Sequence, residues 1–129
     1  MTVSFHQYGE EFFPGTGGIE SIGEGLGKNY SLNVPLKTGI DDDTYANIFD
    51  AVMDEVMAKY RPGVVVLQLG ADSLSGDVLG RLNLSINGHG HCVEHMMKYG
   101  IPLMLLGGGG YTVQNVAKCW AYETGLVLG

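Results

Sequence analysis

Two stretches decide how this chain is read: GVVVLQLGADSLSGD at 63–77 and IPLMLLGGGGY at 101–111. Each opens with a continuous run of Val, Leu, Ile or Met, the pattern of a strand covered on both faces in a parallel sheet. Each run then gives way to residues that fit a turn. In an open α/β sheet, ligands and chemistry collect outside the carboxyl ends of the strands. The first turn brings a carboxylate there, Asp72, and the second brings four glycines followed by a phenol, Tyr111. A carboxylate and a tyrosine on neighbouring strand ends suit a metal-assisted hydrolase, one as ligand and the other as donor to an oxyanion.

Working outward, the spacing predicts strands at 1–6 and 30–35, the second ended by Pro35, with a loop over GEEFFPGTGG at 9–18 between them. Residues 41–60 carry apolar side chains at helical spacing (Tyr45, Ile48, Phe49, Val52, Val56, Met57 and Tyr60), with Asp41 to Asp43 placed to cap the positive end. Pro62 and Gly63 stop that helix. Two further helices are expected at 86–99 and 112–124. From residue 30 onward the order is strand, helix, strand, helix, strand, helix, which describes an α/β domain.

Length and composition narrow the function. A chain of 129 residues makes one domain at most, expected to span 1–129. Glycine accounts for 21 of the residues, a share more than twice the usual ~7%. Net charge is −7, and the two arginines, Arg61 and Arg81, stand apart, so direct nucleic-acid binding is not expected. An acidic surface would sooner attract a basic partner such as a Lys-rich tail. Cys92 and Cys119 form no CxxC pair and read as buried free thiols. The absence of a leader-like start or a membrane-length apolar run implies a soluble, intracellular chain.

Three motifs also admit simpler readings. HCVEH at 91–95 matches the H-x-x-E-H pattern of inverted zinc peptidases. That chemistry needs a third ligand further along, and Glu123 is the only carboxylate after His95, so a His-rich solvent face is the simpler reading. GEGLGK at 23–28 lacks the first glycine and the Ser/Thr of a phosphate loop and reads as a turn. Four consecutive glycines at 107–110 cost entropy as a mere turn and suit a close approach of backbone to ligand. Tyr111 is either a reacting phenol or a buried anchor for the next helix. Asp72 and Asp77 are either functional or turn-forming.

The segments MTVSFHQYGEEFFPGTG, NVPL, GIDDDTY, VVLQLGADSLSGD, LNLSINGH and LGGGGYTVQNVAKCWAYETG resemble the zinc-dependent class I histone deacetylases, in that family's order. The resemblance implies the C-terminal portion of a parallel-sheet, arginase/deacetylase-like α/β fold. It implies hydrolysis of N6-acetyl-lysine on histone tails or other acetylated proteins, in nuclear or cytoplasmic corepressor complexes. By matching positions, Asp72 becomes a zinc ligand and Tyr111 the oxyanion donor. Phe13, Leu79 and Gly109 would line the acetyl-lysine tunnel, while Ser4, Phe5 and Tyr30 fall where the family binds structural potassium.

The chain also departs from the family. It corresponds to about the last third of a deacetylase catalytic domain, and Met1 coincides with an internal Met of the family motif, as a truncated gene product or a mis-called gene start would show. It has no D-x-H ligand pair and no adjacent histidines to act as base. A zinc site at Asp72 is therefore incomplete, and the chain alone is expected to be inactive. The rival reading is a non-catalytic binding or dominant-negative module. Val78 and Gln114 stand where inositol-phosphate-binding members carry Arg, so inositol phosphates are not expected to bind, and Gly18 stands in place of the family's Asp after GTG, which removes a polar group beside the tunnel loop.

Overall fold

The structure is a computed structural model that describes residues 1–9 and 12–129. It folds as two compact units, Met1–Thr38 and Gly39–Gly129. Glu10 and Glu11, part of the loop expected at 9–18, lie outside the described residues.

In the first unit, β1 (Thr2–Gln7) and β2 (Ser31–Leu36) pair in parallel, with Thr2 opposite Ser31 and His6 opposite Pro35. Among its described residues, the connection between them contains one short 3-10 turn, Gly25–Gly27. Pro35 lies within β2 instead of ending it. β2 has a single partner strand, and a proline is tolerated on such an edge because the missing N–H leaves no ladder bond broken on the open side. The His6 ring holds the connection in place, with Nδ1 2.8 Å from Ser4 Oγ and Nε2 2.8 Å from the Gly17 carbonyl.

The second unit runs α1 (Asp42–Tyr60), β3 (Val65–Gln68), a 3-10 turn at Ala71–Ser73, α2 (Ile86–Met97), β4 (Leu103–Leu106) and α3 (Val113–Leu128). β3 and β4 are parallel neighbours, with Val65 opposite Leu103 and Gln68 opposite Leu106. This is the α/β arrangement expected from the sequence. α1 begins as its acidic start predicts, since the Asp41 side chain accepts from Thr44 N at 3.0 Å. Asp42 has a different task. It accepts from the backbone N and hydroxyl of Ser85, which in turn caps α2. The acidic run therefore provides a cap and a helix–helix tie. The helix ends one residue earlier than the proline, at Arg61 in the left-handed conformation.

The core of this unit includes Phe49, Met53, Val56 and Met57 of α1, Cys92, Val93 and Met96 of α2, and Leu69, Ala71, Leu74, Leu84 and Cys119. Met53 replaces Tyr60 in the expected stripe; Tyr60 is exposed. Burial pushes both thiols, Cys92 and Cys119, up to about 12, so they are inert as nucleophiles at neutral pH.

Two expectations fail here. β3 and β4 are not covered on both faces: Val66, Met104 and Leu106 are exposed, alternating with half-buried Val65, Leu67, Leu103 and Leu105. A continuous apolar run thus carries an alternating burial pattern, because only one face of this pair meets the core. Nor is α2 a His-rich solvent helix, since His89 and His95 are both buried. Packing against α1 on one side and α3 on the other leaves little of α2 open to water.

Candidate functional site

The two stretches that open the sequence reading meet at the carboxyl ends of β3 and β4. The ladder continues past both strands through Leu69 N to Leu106 O (2.9 Å) and Ala71 N to Gly109 O (2.7 Å). The Trp120 indole on α3 donates to the Leu69 carbonyl at 2.9 Å, fixing the strand end from the helix side.

Asp72 lies in the 3-10 turn that follows β3, with its carboxylate against the backbone of Gly109 and Gly70. A Cβ at Gly109 would run into both carboxylate oxygens, and one at Gly70 would stand 2.7 Å from Oδ1. Among the described residues nothing donates a hydrogen bond to this carboxylate. Gly110 has φ +141°, a region that L side chains rarely adopt, and a Cβ there would sit 2.6 Å from Val116. The glycine run does serve close approach, but to the protein's own side chains.

Tyr111 follows directly and is half exposed, so it is not a buried anchor for α3. Its position is set from below by Asp77. Asp77 Oδ1 accepts from Leu79 N and Gly80 N, and Oδ2 from Tyr111 N, each at 2.8 Å. Partial burial pushes the Asp77 carboxyl up, but the N–H donors of Gly80, Tyr111, Leu79 and Thr112 outweigh it and hold the carboxyl below its ordinary value. Thr112 Oγ1 adds a bond to the Gly76 carbonyl at 3.0 Å. Asp77 thus ties the loop carrying Leu79 to the one carrying Tyr111, a role that the turn reading of the sequence had left open.

A buried relay lies behind Asp72. The Ser73 hydroxyl meets His89 Nε2, and His89 Nδ1 lies 2.9 Å from Glu123 Oε1. Nothing in the sequence marks His89 and Glu123 as partners of each other or of Ser73. The three residues come from a turn and two different helices, so no local spacing signals them.

The remaining candidates occupy the first unit. Phe13 is exposed to 89%. Ser4 and Phe5 lie within β1, while Tyr30, whose carbonyl accepts from Thr2 N, precedes β2. The register sets Tyr30 roughly 10 Å along the strands from Ser4 and roughly 13 Å from Phe5, at ~3.3 Å per residue.

The sequence profile of the histone deacetylase domain matches residues 1–127. The chain belongs to the histone deacetylase family. It is 63% identical over 129 residues to histone deacetylase 19 of Arabidopsis thaliana and 62% identical over 129 residues to the probable histone deacetylase 19 of Zea mays. It is also 58% identical over 127 residues to the histone deacetylase RPD3 of Saccharomyces cerevisiae. These alignments cover 98–100% of the chain but only 25–29% of each relative. The chain therefore spans about a quarter of the length of the curated relatives it matches.

The family implies a zinc ion, and the donors present can be tested against it. A catalytic zinc needs three protein ligands. Among the described residues, the groups of His, Cys, Asp and Glu at ligand spacing are Asp50–His91–His95 and His89–Cys119–Glu123, and neither includes Asp72. One carboxylate does not hold a catalytic zinc, so the donor set around Asp72 does not fit that group.

Proposed function

We propose that this chain forms the C-terminal portion of a protein lysine deacetylase domain and that it contributes two groups to hydrolysis of N6-acetyl-lysine. Asp72 is one carboxylate of a metal site whose other ligands lie in polypeptide outside these residues. Tyr111 donates its hydroxyl to the acetyl oxygen as that oxygen takes up negative charge. Phe13, Leu79 and Gly109 line the approach for the acetyl-lysine side chain, and Ser4, Phe5 and Tyr30 belong to structural potassium positions. The substrates are acetylated histone tails or other acetyl-lysine proteins, met in nuclear or cytoplasmic corepressor assemblies. What carries this reading is the seating of the Asp72 carboxylate against the Gly109 backbone, two residues before an exposed tyrosine, in a chain matched by the family along nearly its whole length.

The incomplete donor set favours a second reading for the chain on its own, a non-catalytic binding or dominant-negative module. One experiment separates the two. The matching segment of yeast RPD3 is replaced by residues 1–127, and turnover of acetyl-lysine peptides is compared with that of the free chain. The chimera is expected to be active, to lose orders of magnitude with Asp72→Ala and to fall strongly with Tyr111→Phe, while the free chain shows no turnover. A folded but inactive chimera, or one indifferent to Asp72→Ala, overturns the first reading.

A further inference from the structure

α1 and α2 bring together four side chains that the site at Asp72 does not use. Asp50 and Asp54 are four residues apart on α1, and His91 and His95 are four apart on α2, so each pair projects from one face of its helix. His91 Nε2 lies 2.8 Å from Asp50 Oδ1, and His95 Nδ1 lies 3.1 Å from the same oxygen. On its other side, His95 Nε2 lies 2.9 Å from Asp54 Oδ1, which also accepts from the Tyr99 hydroxyl. The side chain of His95 is 8% exposed, and its Nδ1 is buried without a hydrogen-bond partner among the described residues.

These contacts pose a problem of protons. A neutral imidazole carries one N–H. Donated from Nε2 to Asp54, it leaves the Nδ1 lone pair facing a carboxylate oxygen at 3.1 Å, acceptor against acceptor in a buried place. A proton on Nδ1 as well would give an imidazolium, yet the contact with Asp50 lacks hydrogen-bond geometry. A cation that takes both lone pairs removes the conflict. The Asp50, His91 and His95 donor atoms all lie within 4.8 Å of one another. Donors on a tetrahedral zinc, at ~2.0–2.2 Å from the metal, stand roughly 3.3 Å apart, close to the two Asp50–imidazole distances of 2.8 and 3.1 Å.

We propose that Asp50, His91 and His95 bind a divalent transition-metal ion of the zinc class, which clamps α1 to α2. Two imidazoles and a carboxylate suit zinc, with water as a fourth ligand. Asp54 orients His95 from behind, as the carboxylate behind a metal-bound histidine commonly does. His91 and Asp50 each keep about a third of their side-chain surface open, which gives the ion a way in. The missing third ligand of the HCVEH motif is thus supplied from upstream, by the preceding helix. Glu94, the position of the peptidase base in that motif, is exposed, and the site is structural, not proteolytic.

The test uses the purified, demetallated protein in whatever oligomeric state it adopts, titrated with Zn(II) by calorimetry and with Co(II) by visible absorption. One ion per chain is expected, with the intense bands of tetrahedral Co(II) and a melting temperature that rises with added Zn(II), because the ion binds only the folded state. His91→Ala, at a half-exposed position, should abolish the Co(II) bands while leaving the circular dichroism unchanged. Asp54→Asn should weaken Zn(II) by about 10–100-fold. Binding that His91→Ala leaves intact, or the absence of saturable binding to folded protein, overturns the proposal.

Discussion

Asp77 and Gly109 show how much single residues decide at the strand ends. The Asp77 carboxyl is held below its ordinary value in the folded chain. Its contribution to stability is therefore complete above the unfolded carboxyl pKa, near 4, and is lost as pH falls through the lower folded value. Urea melts across pH 2–6 should show an acid loss of stability that shrinks in Asp77→Ala, the variant being less stable at pH 6. An unchanged acid limb would show that the three N–H contacts contribute nothing. Gly109 belongs to the same clasp. A methyl there meets the Asp72 carboxylate, and crowding of this kind costs about 1–3 kcal/mol. Gly109→Ala should lower the melting temperature and, in the RPD3 chimera, depress turnover about as much as the loss of Asp72 does. Normal turnover would mean that the carboxylate swings aside without consequence.

Among the elements, α2 departs furthest from its reading in sequence. Its histidines face two ways: His89 toward Ser73 and Glu123, and His91 and His95 toward the aspartates of α1. Glu123 is 2% exposed, so its removal leaves His89 Nδ1 buried without a partner, at a cost of about 1–3 kcal/mol. Glu123→Ala should therefore destabilise the chain by that order in denaturant melts, with Glu123→Gln recovering part of the loss through its amide oxygen. A neutral outcome for Glu123→Ala would mean that water replaces the carboxylate. The helices themselves were legible in the sequence. Asp41 before a 3.6-residue apolar stripe marks the start of α1, and Gly100 in the left-handed conformation follows the end of α2. The partners of the α2 histidines were not legible, because each pairs with a residue 16–41 positions away.

For the molecule as a whole, the exposed apolar residues matter most. Val64, Val66, Met104 and Leu106 are all 45–58% exposed around a two-stranded parallel sheet. Parallel sheets are ordinarily covered on both faces, and open edges beside apolar surface invite pairing with other chains. The free 129-residue chain should therefore associate or bind hydrophobic dyes. Light scattering that shows a monodisperse monomer with a sharp cooperative melt would contradict this. None of the helices, searched over the described residues, is long and apolar enough to cross a membrane.

Sequence alone determined the α/β class, the parallel strands within 63–70 and 101–107, the helix starts and the family, because these rest on local periodicity, caps and contiguous motifs. It also placed Asp72 and Tyr111 after adjacent strands. Tertiary structure alone decided that Asp72 rests on Gly109, that Asp77 braces Tyr111, that one face of β3 and β4 is open, and that two helices set Asp50 against His91 and His95. Each of these depends on which faces meet, and a periodic pattern shows only that an element has an apolar face, not what lies against it.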